Sequence, residues 1–296
     1  MKCIKVHKDE LNKVIKQIHV NPFFKVYYSK DYAYIPVYEE ISGYDIIECN
    51  PPRKTPKLNE IINGVRSYYV IGDIALVTPK INIDKELLAK TIMETNPRIK
   101  SVFIRKKVKG ELRVNQIEFA GGENKTQTIY KENGLKFLVD INKVYVNPSM
   151  SNERQKIVNE IECGKIVDLF TGYGAIAIHL ARKCGYIVAG DLNLEGLLLL
   201  KESINYNKLK GEIDVVNYDA KYLPFRDKTF DLGIADNPTI VSQFKEEICR
   251  VCKEAFFYIL AHSTEEASNL IGLANWVKVN DYSKDLFIFK GRIRCQ

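Results

Sequence analysis

The chain has 296 residues, enough for two or three folded units with buried cores. Hydrophobic residues make up 46% and charged residues 27% of it, as in an ordinary globular protein. No apolar run reaches the length of a membrane span and no signal peptide is recognisable, so we expect a cytoplasmic protein that does not enter the membrane. Seven scattered cysteines, an odd number, predict reduced thiols. Cys249 and Cys252 form a single C-x-x-C without a second pair, so we expect no metal site.

The net charge of +7 is unevenly distributed. Residues 1–150 hold 25 Lys and Arg against 17 Asp and Glu, whereas residues 151–296 hold 19 against 20. A basic N-terminal half predicts an acidic macromolecular partner bound through its phosphates, although a lysine-rich solvated surface has the same composition. The excess is densest in residues 98–113, at Arg98, Lys100, Arg105, Lys106, Lys107, Lys109 and Arg113.

The first predicted unit covers residues 1–50. It contains a strand over residues 2–6, an amphipathic helix over residues 9–18 and a tyrosine-rich hairpin over residues 24–37. The prolines and charges that follow predict a semi-rigid linker over residues 51–62.

Residues 63–149 are predicted to form a middle α+β domain. Strands over residues 68–71 and 74–77 precede a helix over residues 84–96, with Asp84 as its N-cap. Another strand, over residues 101–105, leads into the basic stretch. Alternating residues then predict strands over 113–119, 127–130 and 135–141, with Asn133-Gly134 as the turn between the last two.

The last predicted unit, residues 150–296, opens with K-I-V-D-L-F-T-G-Y-G. Its apolar run ends in Asp168, and Gly172 and Gly174 precede residues at helical spacing. This is the strand–turn–helix in which the backbone can approach a nucleoside. A lone G-x-G is weak evidence.

Later strands of this unit also end in carboxylates. Residues 186–190 lead to Asp191, residues 213–216 lead to Asp219, and residues 231–235 lead to Asp236. A helix over residues 194–206 lies between the first two, and residues 286–293 are expected to close the sheet as antiparallel strands. Carboxylates at several strand tips predict a nucleoside-binding sheet; the alternative is that they cap helices.

These C-terminal motifs resemble class I S-adenosylmethionine-dependent methyltransferases, whose fold is a Rossmann-like α/β sheet. The resemblance rests on D-L-F-T-G-Y-G, A-G-D-L-N, V-V-N-Y-D-A and D-N-P. It implies S-adenosylmethionine as cofactor, with its methionine moiety at the glycine turn, Asp191 on the ribose and Asp219 on the adenine amino group. The cofactor-binding residues that it implies are Asp168, Phe170, Gly172, Gly174, Asp191, Asn193, Asp219 and Asn237.

The N-terminal half adds a second resemblance, to the archaeal and eukaryotic tRNA (guanine-37-N1)-methyltransferases. It is carried by V-I-G-D-I-A-L-V, K-G-E-L-R-V, G-G-E-N-K-T-Q-T-I-Y-K-E-N-G and S-N-E-R. These motifs are shared with the sister wyosine-pathway aminocarboxypropyl transferases. The resemblance implies two small α+β domains before the methyltransferase domain, the first recognising the outer corner of tRNA. We expect a monomer with tRNA as partner.

The same resemblance implies catalytic residues. Glu153 in N-E-R would be the general base, Arg113 in G-E-L-R-V the partner of guanine O6, and Tyr145 an aromatic contact to the substrate. Guanine N1 carries a proton at neutral pH, so a carboxylate has to take it while a cation stabilises the charge on O6. Alternatively, Glu153 is a first-turn helix carboxylate, Arg113 a phosphate contact and Tyr145 a core residue.

Three departures from the family pattern bear on the target base. Asn147-Pro148-Ser149 stands where the family has S-P-R, and T-G-Y-G replaces A-G-V-G. Asp236-Asn237-Pro238-Thr239 replaces N-L-P or N-P-P-Y, and a carboxylate at Asp236 only accepts hydrogen bonds. We assign Asp236 and Pro238 to the catalytic group. The alternatives to base methylation are transfer of the 3-amino-3-carboxypropyl group and a substrate other than tRNA.

Overall fold

A computed structural model describes residues 1–54, 58–62, 65, 67–79, 82–109 and 114–295. The chain divides into two compact units. Among the described residues, no helix is both long enough and apolar enough to cross a membrane. The predicted division into residues 1–50, 51–62, 63–149 and 150–296 stays a prediction. The first unit comprises Met1–Tyr69, Ala75–Ile104 and Phe119–Glu123, and the second comprises Val70–Ile74, Arg105–Glu118 and Asn124–Gln296.

The N-terminal residues form a small antiparallel sheet. Its strands are β1 (Lys2–His7), β2 (Tyr27–Ser29), β3 (Tyr32–Val37) and β4 (Asp45–Glu48), in the order β2-β3-β1-β4. The predicted strand and hairpin are confirmed. The predicted helix over residues 9–18 is shorter: a 3-10 turn (Lys8–Glu10) leads into α1 (Leu11–Ile15). Only Val14 of α1 is buried, and so short a helix has little packing to extend it.

The next elements form a second four-stranded sheet, in the order β5-β6-β7-β8, with two helices. The helix α3 begins as predicted, because the Asp84 side chain accepts hydrogen bonds from the N–H groups of Glu86 and Leu87 at 3.0 and 3.1 Å. Leu88 and Ile92 are buried on the core face of this helix. The elements are α2 (Leu58–Ile61), β5 (Tyr68–Ile71), β6 (Ile74–Val77), α3 (Lys85–Thr95), β7 (Ser101–Lys109) and β8 (Val114–Gly122).

A hairpin of β9 (Gln127–Glu132) and β10 (Leu135–Asp140) follows, and it confirms the prediction. Its turn residues Asn133 and Gly134 have φ values of 49° and 81°. Two successive positive φ angles match the right-handed twist of the strands, and Asn-Gly is the pair that adopts them most readily.

The C-terminal sheet has seven strands, in the order β13-β12-β11-β14-β15-β17-β16. Strands β11 to β15 are parallel, whereas β17 is antiparallel to β15 and to β16. The strand order reverses between β11 and β14, where α/β sheets bind their ligands. The predicted Rossmann-like sheet and its antiparallel closing strands are confirmed. The strands are β11 (Ile166–Asp168), β12 (Tyr186–Asp191), β13 (Glu212–Asn217), β14 (Phe230–Ala235), β15 (Cys252–Ala261), β16 (Val277–Ser283) and β17 (Leu286–Arg294).

Helices accompany this sheet, and its central strands β11 and β14 are mostly buried, as in parallel sheets that are covered on both faces. Val167, Leu169 and Phe257 are fully buried in the core of this sheet. The helices are α4 (Ser151–Glu160), α5 (Ala175–Ala181), α6 (Leu194–Asn205), α7 (Lys245–Val251) and α8 (Thr264–Ile271).

The expectation of reduced cysteines is wrong. Three disulfides join residues 46, 21 and 46 positions apart, and only Cys252 stays a thiol. Burial raises the pKa of Cys252 to about 12, so this thiol is unreactive. Spacing along the chain could not show the pairing, because each partner is brought close only by the folded sheets. The pairs are Cys3–Cys49, Cys163–Cys184 and Cys249–Cys295.

Candidate active site

Asp168 ends β11 beside the point where the strand order reverses, and it is 1% exposed. Its Oδ2 accepts a hydrogen bond from the Thr171 hydroxyl at 2.8 Å, while Oδ1 is buried with no partner among the described residues. Burial, with the nearby carboxylates of Asp236 and Asp191, raises the pKa of Asp168 to about 7. A buried acceptor without a donor costs free energy, so a cationic group of a ligand fits at Oδ1.

The glycine turn between β11 and α5 gives a ligand access to the backbone. Gly172 and Gly174 have φ values of 55° and 86°, which favour glycine. A Cβ on Gly174 would lie 2.1 Å from Cδ1 of Leu200, so a side chain there would collide with α6. At Gly172 a Cβ would meet nothing within 4 Å. The two glycines therefore differ: Gly174 allows helix packing, and Gly172 borders open space.

Asp191 closes the far side of this turn at the end of β12. Its Oδ2 accepts from the Gly172 N–H and its Oδ1 from the Asn193 N–H, both at 2.8 Å. Burial raises the pKa of Asp191. Asn193 caps α6 through Gly196 at 3.3 Å and donates from Nδ2 to the Lys143 carbonyl at 2.8 Å. The structure thus brings Asp191 and Asn193 to the glycine turn, as their assignment requires.

The remaining predicted cofactor residues of this edge are Asp219 and Phe170. Asp219 is half-buried, and its Oδ1 accepts from the backbone N–H two residues on at 2.9 Å. Phe170 packs its ring against Phe244, with centroids 5.7 Å apart, and so contributes to the core. Sequence reasoning missed Asn217, whose Nδ2 donates to the Asp191 carbonyl at 2.8 Å. Asn217 could have been identified from its position at the end of the predicted third strand of this sheet.

The segment after β14 holds Asp236, Asn237 and Pro238, all half-buried. Pro238 accepts at its carbonyl from a backbone N–H of β15 at 3.0 Å, which ties this segment to the sheet. Burial, with a contribution from Asp236, raises the pKa of both Asp168 and Tyr258. Strand β14 pairs with β11 on one side and with β15 on the other, so Asp236 directly follows the strand between those that carry Asp168 and Tyr258.

Glu153 lies in the first turn of α4 and is 7% exposed. Its Oε1 accepts from the Tyr258 hydroxyl at 3.0 Å and lies 2.9 Å from the Lys290 Nζ. Both of these contacts are made to Oε1. Sequence reasoning missed Tyr258 and Lys290. Lys290 could have been identified because it is a lysine within the otherwise apolar start of β17.

Arg113 and Tyr145 are the other two residues that the sequence assigns to catalysis. Arg113 lies outside the described residues. Tyr145 is half-buried between Val144 and Val146, which are both fully buried. It belongs to the segment between the hairpin and α4, and its role as a substrate contact stays a prediction.

A second buried network lies behind the glycine turn. Arg154 Nε donates to Glu132 Oε1 at 2.7 Å, its Nη2 to Oε2 at 2.5 Å, and the Tyr130 hydroxyl to Oε2 at 2.8 Å. Burial opposes ionisation of Glu132, but the bonds from Arg154 outweigh it and lower the pKa of this carboxyl. Tyr173, the unusual residue of T-G-Y-G, is 5% exposed, and its hydroxyl has no partner among the described residues.

Comparison with protein families identifies two domains in the chain. The TRM5/TYW2 methyltransferase domain matches residues 128–271, and the TYW2 N-terminal domain matches residues 57–126. Together the two matches run through most of the chain, including the β9–β10 hairpin and the strands up to β15.

Curated relatives carry the name tRNA (guanine(37)-N(1))-methyltransferase. Trm5b of Pyrococcus abyssi is 29% identical over 212 residues, which are 65% of this chain and 63% of the relative. Trm5b of Methanocaldococcus jannaschii is 32% identical over 212 residues, 69% of this chain and 62% of the relative. The chain therefore aligns with a little less than two thirds of the length of these relatives.

Solved structures share the fold at low sequence identity. Trm5b from Pyrococcus abyssi gives a TM-score of 0.72 at 22% identity, with 99% of each chain covered. The complex of aTrm5 and tRNALeu gives 0.75 at 24% identity over the whole of both chains. TYW2 from P. horikoshii in complex with MeSAdo gives 0.68 at 19% identity, covering 81% of this chain and 98% of that one. The two domain matches, together with the curated relatives, show that the chain belongs to the TRM5/TYW2 methyltransferase family.

Proposed function

We propose that the chain is an S-adenosylmethionine-dependent tRNA methyltransferase that acts on N1 of guanine-37, or on its wyosine-type derivative, next to the anticodon. The observation that carries the proposal is Glu153, a buried carboxylate with one oxygen held by Tyr258 and Lys290. The names of the curated relatives support the reaction. A cytoplasmic, monomeric enzyme belongs to the same proposal.

The residues at the carboxyl edge of the sheet fit the cofactor. Asp168 Oδ1, buried and without a donor among the described residues, suits the ammonium of the methionine moiety. The open space at Gly172 leaves room for a ligand beside the backbone. Asp191 and Asp219 are assigned to the ribose and the adenine amino group, and Phe170, Asn193 and Asn237 to further contacts with the cofactor. When bound, S-adenosylmethionine supplies an electrophilic methyl group on its sulfonium.

The reaction requires removal of the proton from guanine N1 and stabilisation of the negative charge on O6. Glu153 takes the proton from guanine N1, and this assistance contributes about 10²–10⁴-fold to the rate. Arg113 is assigned to the charge that develops on O6, where a preorganised donor contributes about 10²–10³-fold. Asp236, as an acceptor, pairs with the N–H groups of the guanine edge. Tyr145 and Pro238 are assigned to holding the base in line with the methyl group.

A second candidate is transfer of the 3-amino-3-carboxypropyl group from the same cofactor. The match of residues 57–126 to the TYW2 N-terminal domain favours it. The two reactions differ in which carbon next to the sulfonium is attacked, so the orientation of the cofactor decides between them.

Two isotopic labels distinguish these reactions. The full-length chain is incubated with transcribed tRNA and S-adenosylmethionine labelled either in the methyl or in the carboxyl group. We expect methyl label in the RNA, and none when guanine-37 is replaced by adenine. Carboxyl label in the RNA identifies the second reaction. Absence of both labels contradicts guanine-37 of transcribed tRNA as the substrate.

The role of Glu153 is tested with Glu153→Gln. We expect methyl transfer to fall about 10²–10⁴-fold, because the amide cannot take the N1 proton, while affinity for S-adenosylhomocysteine is unchanged. Glu162→Gln, an exposed neighbour beyond the end of α4, is the matched control and is expected to be as active as the unchanged enzyme. A fully active Glu153→Gln enzyme would rule out the general base.

A further inference from the structure

Lys290 is an ammonium in an apolar setting. It lies on β17 directly opposite Tyr258 of β15 and is 7% exposed. Its Nζ lies 2.9 Å from Glu153 Oε1 and donates to Glu160 Oε1 and Oε2 at 3.0 and 2.8 Å. The ring of Phe256 lies on another side, with its centroid 5.7 Å from Nζ. The cation thus bridges a buried carboxylate and a half-exposed one on the same helix.

The register of the strands brings this bridge to the active edge. Ala235, the last residue of β14, pairs with Phe257, so the next positions, Asp236 and Tyr258, lie level with each other. Tyr258 in turn pairs with Lys290. An acid, a phenol and an ammonium therefore stand side by side at the carboxyl edge, and the phenol and the ammonium both contact Glu153 Oε1.

The stability of the fold does not explain why Lys290 is buried between two carboxylates. An ion pair taken out of water gains little over apolar residues of similar size, because desolvation offsets the attraction. Glu160 by itself already gives Lys290 a partner that is 48% exposed. The contact to Glu153 serves that carboxylate instead, since a buried carboxyl without a countercharge favours its neutral form.

We propose that Lys290 is a positioning residue for Glu153: with Tyr258 it holds Oε1 in place, so that Oε2 is the oxygen that takes the guanine N1 proton. The inference rests on the proposed function. The proton passes from N1 to Oε2, and Lys290 keeps its own protons throughout. Lys290 and Tyr258 contact Glu153 directly, Glu160 shares the Lys290 ammonium, and Asp236 lies level with Tyr258 on the neighbouring strand.

The test is single-turnover methyl transfer to transcribed tRNA from pH 6 to pH 9 by Lys290→Met, Lys290→Arg and the unchanged enzyme. We expect Lys290→Met to be about 10- to 100-fold slower, because Oε1 loses the contact that fixes the carboxylate. The KM for tRNA and the affinity for S-adenosylhomocysteine are expected to change less than about twofold. Lys290→Arg is expected to restore most of the rate.

The Glu153→Gln background separates positioning from a structural role. There, Lys290→Met is expected to cause no further loss of rate, because its effect passes through Glu153. Lys253→Met, which breaks an ion pair with Asp231 on the protein surface, is the matched control and is expected to leave the rate unchanged. If Lys290→Met does not fold by circular dichroism, Lys290→Gln replaces it and is expected to show the same loss of rate.

Each remaining outcome decides the matter. If the methyl-transfer rate of Lys290→Met is within about threefold of that of the unchanged enzyme at every pH, the inference is overturned. It is also overturned if Lys290→Met causes an equal loss of rate with Glu153 and with Gln at position 153. A parallel loss of S-adenosylhomocysteine affinity assigns Lys290 to the fold and also overturns it. Failure of the unchanged enzyme to methylate tRNA contradicts the proposed function itself.

Discussion

Asp168 shows what burial does to one carboxyl group. The strand that carries it is apolar, so Asp168 is held out of water with one oxygen bonded to Thr171 and the other without a donor among the described residues. Its pKa of about 7 means that the neutral form is populated at moderately acidic pH. Burial and the neighbouring carboxylates oppose its ionisation, and a cation bound beside Oδ1 would favour it.

A pH dependence of ligand affinity follows. Below pH 7, Asp168 is largely protonated and cannot pair with the ammonium of S-adenosylhomocysteine; above pH 7, it is ionised. We expect the affinity to rise about tenfold from pH 6 to pH 8 and then level off. Calorimetric titrations at several pH values measure it. Asp168→Asn should flatten the dependence, whereas Asp219→Asn should lower affinity and keep the slope. A slope that survives in Asp168→Asn assigns it to Asp191, whose pKa burial also raises.

Some residues of the candidate site could be predicted from the sequence, and others could not. Asp168, Asp191 and Asp219 were predicted because acidic residues at strand ends leave a readable pattern. Tyr258 is 105 positions from Glu153, and no local pattern links the two. Contacts of this kind depend on the register of the strands, which cannot be predicted from a single sequence.

Among the elements, the hairpin of β9 and β10 is anchored to α4 by one buried ion pair. Glu132 at the end of β9 and Arg154 in α4 are 1% and 7% exposed at their side chains. The Arg154 guanidinium also donates to the Asn147 carbonyl at 3.1 Å, in the segment that precedes α4. The start of α4, which carries Glu153, is thereby tied to the hairpin.

Arg154→Met tests this anchor. The change leaves Glu132 buried without its countercharge, so we expect a loss of about 3–5 kcal/mol in the free energy of unfolding, measured by urea denaturation. The control is Arg292→Met, which breaks an exposed pair with Glu254 and is expected to cost less than about 1 kcal/mol. Equal losses in the two variants would contradict the special role of the buried pair.

The disulfides make a second test at this scale. Cys249 and Cys295 are 46 positions apart, and joining them restricts the unfolded chain. Replacing both with serine is expected to lower the free energy of unfolding by about 2–4 kcal/mol. Thermal unfolding with and without a reductant measures it, and Cys252→Ala should leave the reductant effect intact. No change on reduction would show that this link does not stabilise the fold.

Most strands and helices could be predicted, because their periodicity and turn residues are local. The short α1 was overestimated, since an amphipathic pattern does not reveal that only Val14 finds a buried site. The disulfides were missed because the pairing of cysteines depends on how distant segments are arranged in the fold. The amino-acid composition, which is that of an ordinary globular protein, gave no sign of them.

For the molecule as a whole, charge is the property that bears on tRNA. The first 150 residues carry a balance of +8 and the remainder −1, counted from 25 against 17 and 19 against 20. Lys106 is paired with Glu118 at 2.7 Å, whereas Arg98 and Lys100 are exposed. Proposed binding of tRNA through this half depends on counterion release and is therefore sensitive to salt.

Charge reversal at Arg98→Glu/Lys100→Glu tests that proposal. We expect weaker tRNA binding and a salt slope that is smaller by about one for each phosphate the variant no longer neutralises, measured by filter binding from about 50 to 200 mM salt. Lys208→Glu/Lys210→Glu, exposed in the second half, is the matched control and should bind nearly as well as the unchanged protein. A larger effect from the control pair would move the tRNA surface to the other half.

The Asn133-Gly134 turn has a consequence for the ageing of the protein. Asn-Gly is a sequence prone to deamidation, and thermolabile residues of this kind are avoided in heat-stable proteins. Here the Asn133 amide donates to the carbonyl and hydroxyl of Ser151, both at 3.3 Å, two residues before Glu153. Deamidation would put an acceptor where the donor stands. Chemical damage on the far side of the hairpin would therefore reach the residue proposed as the base.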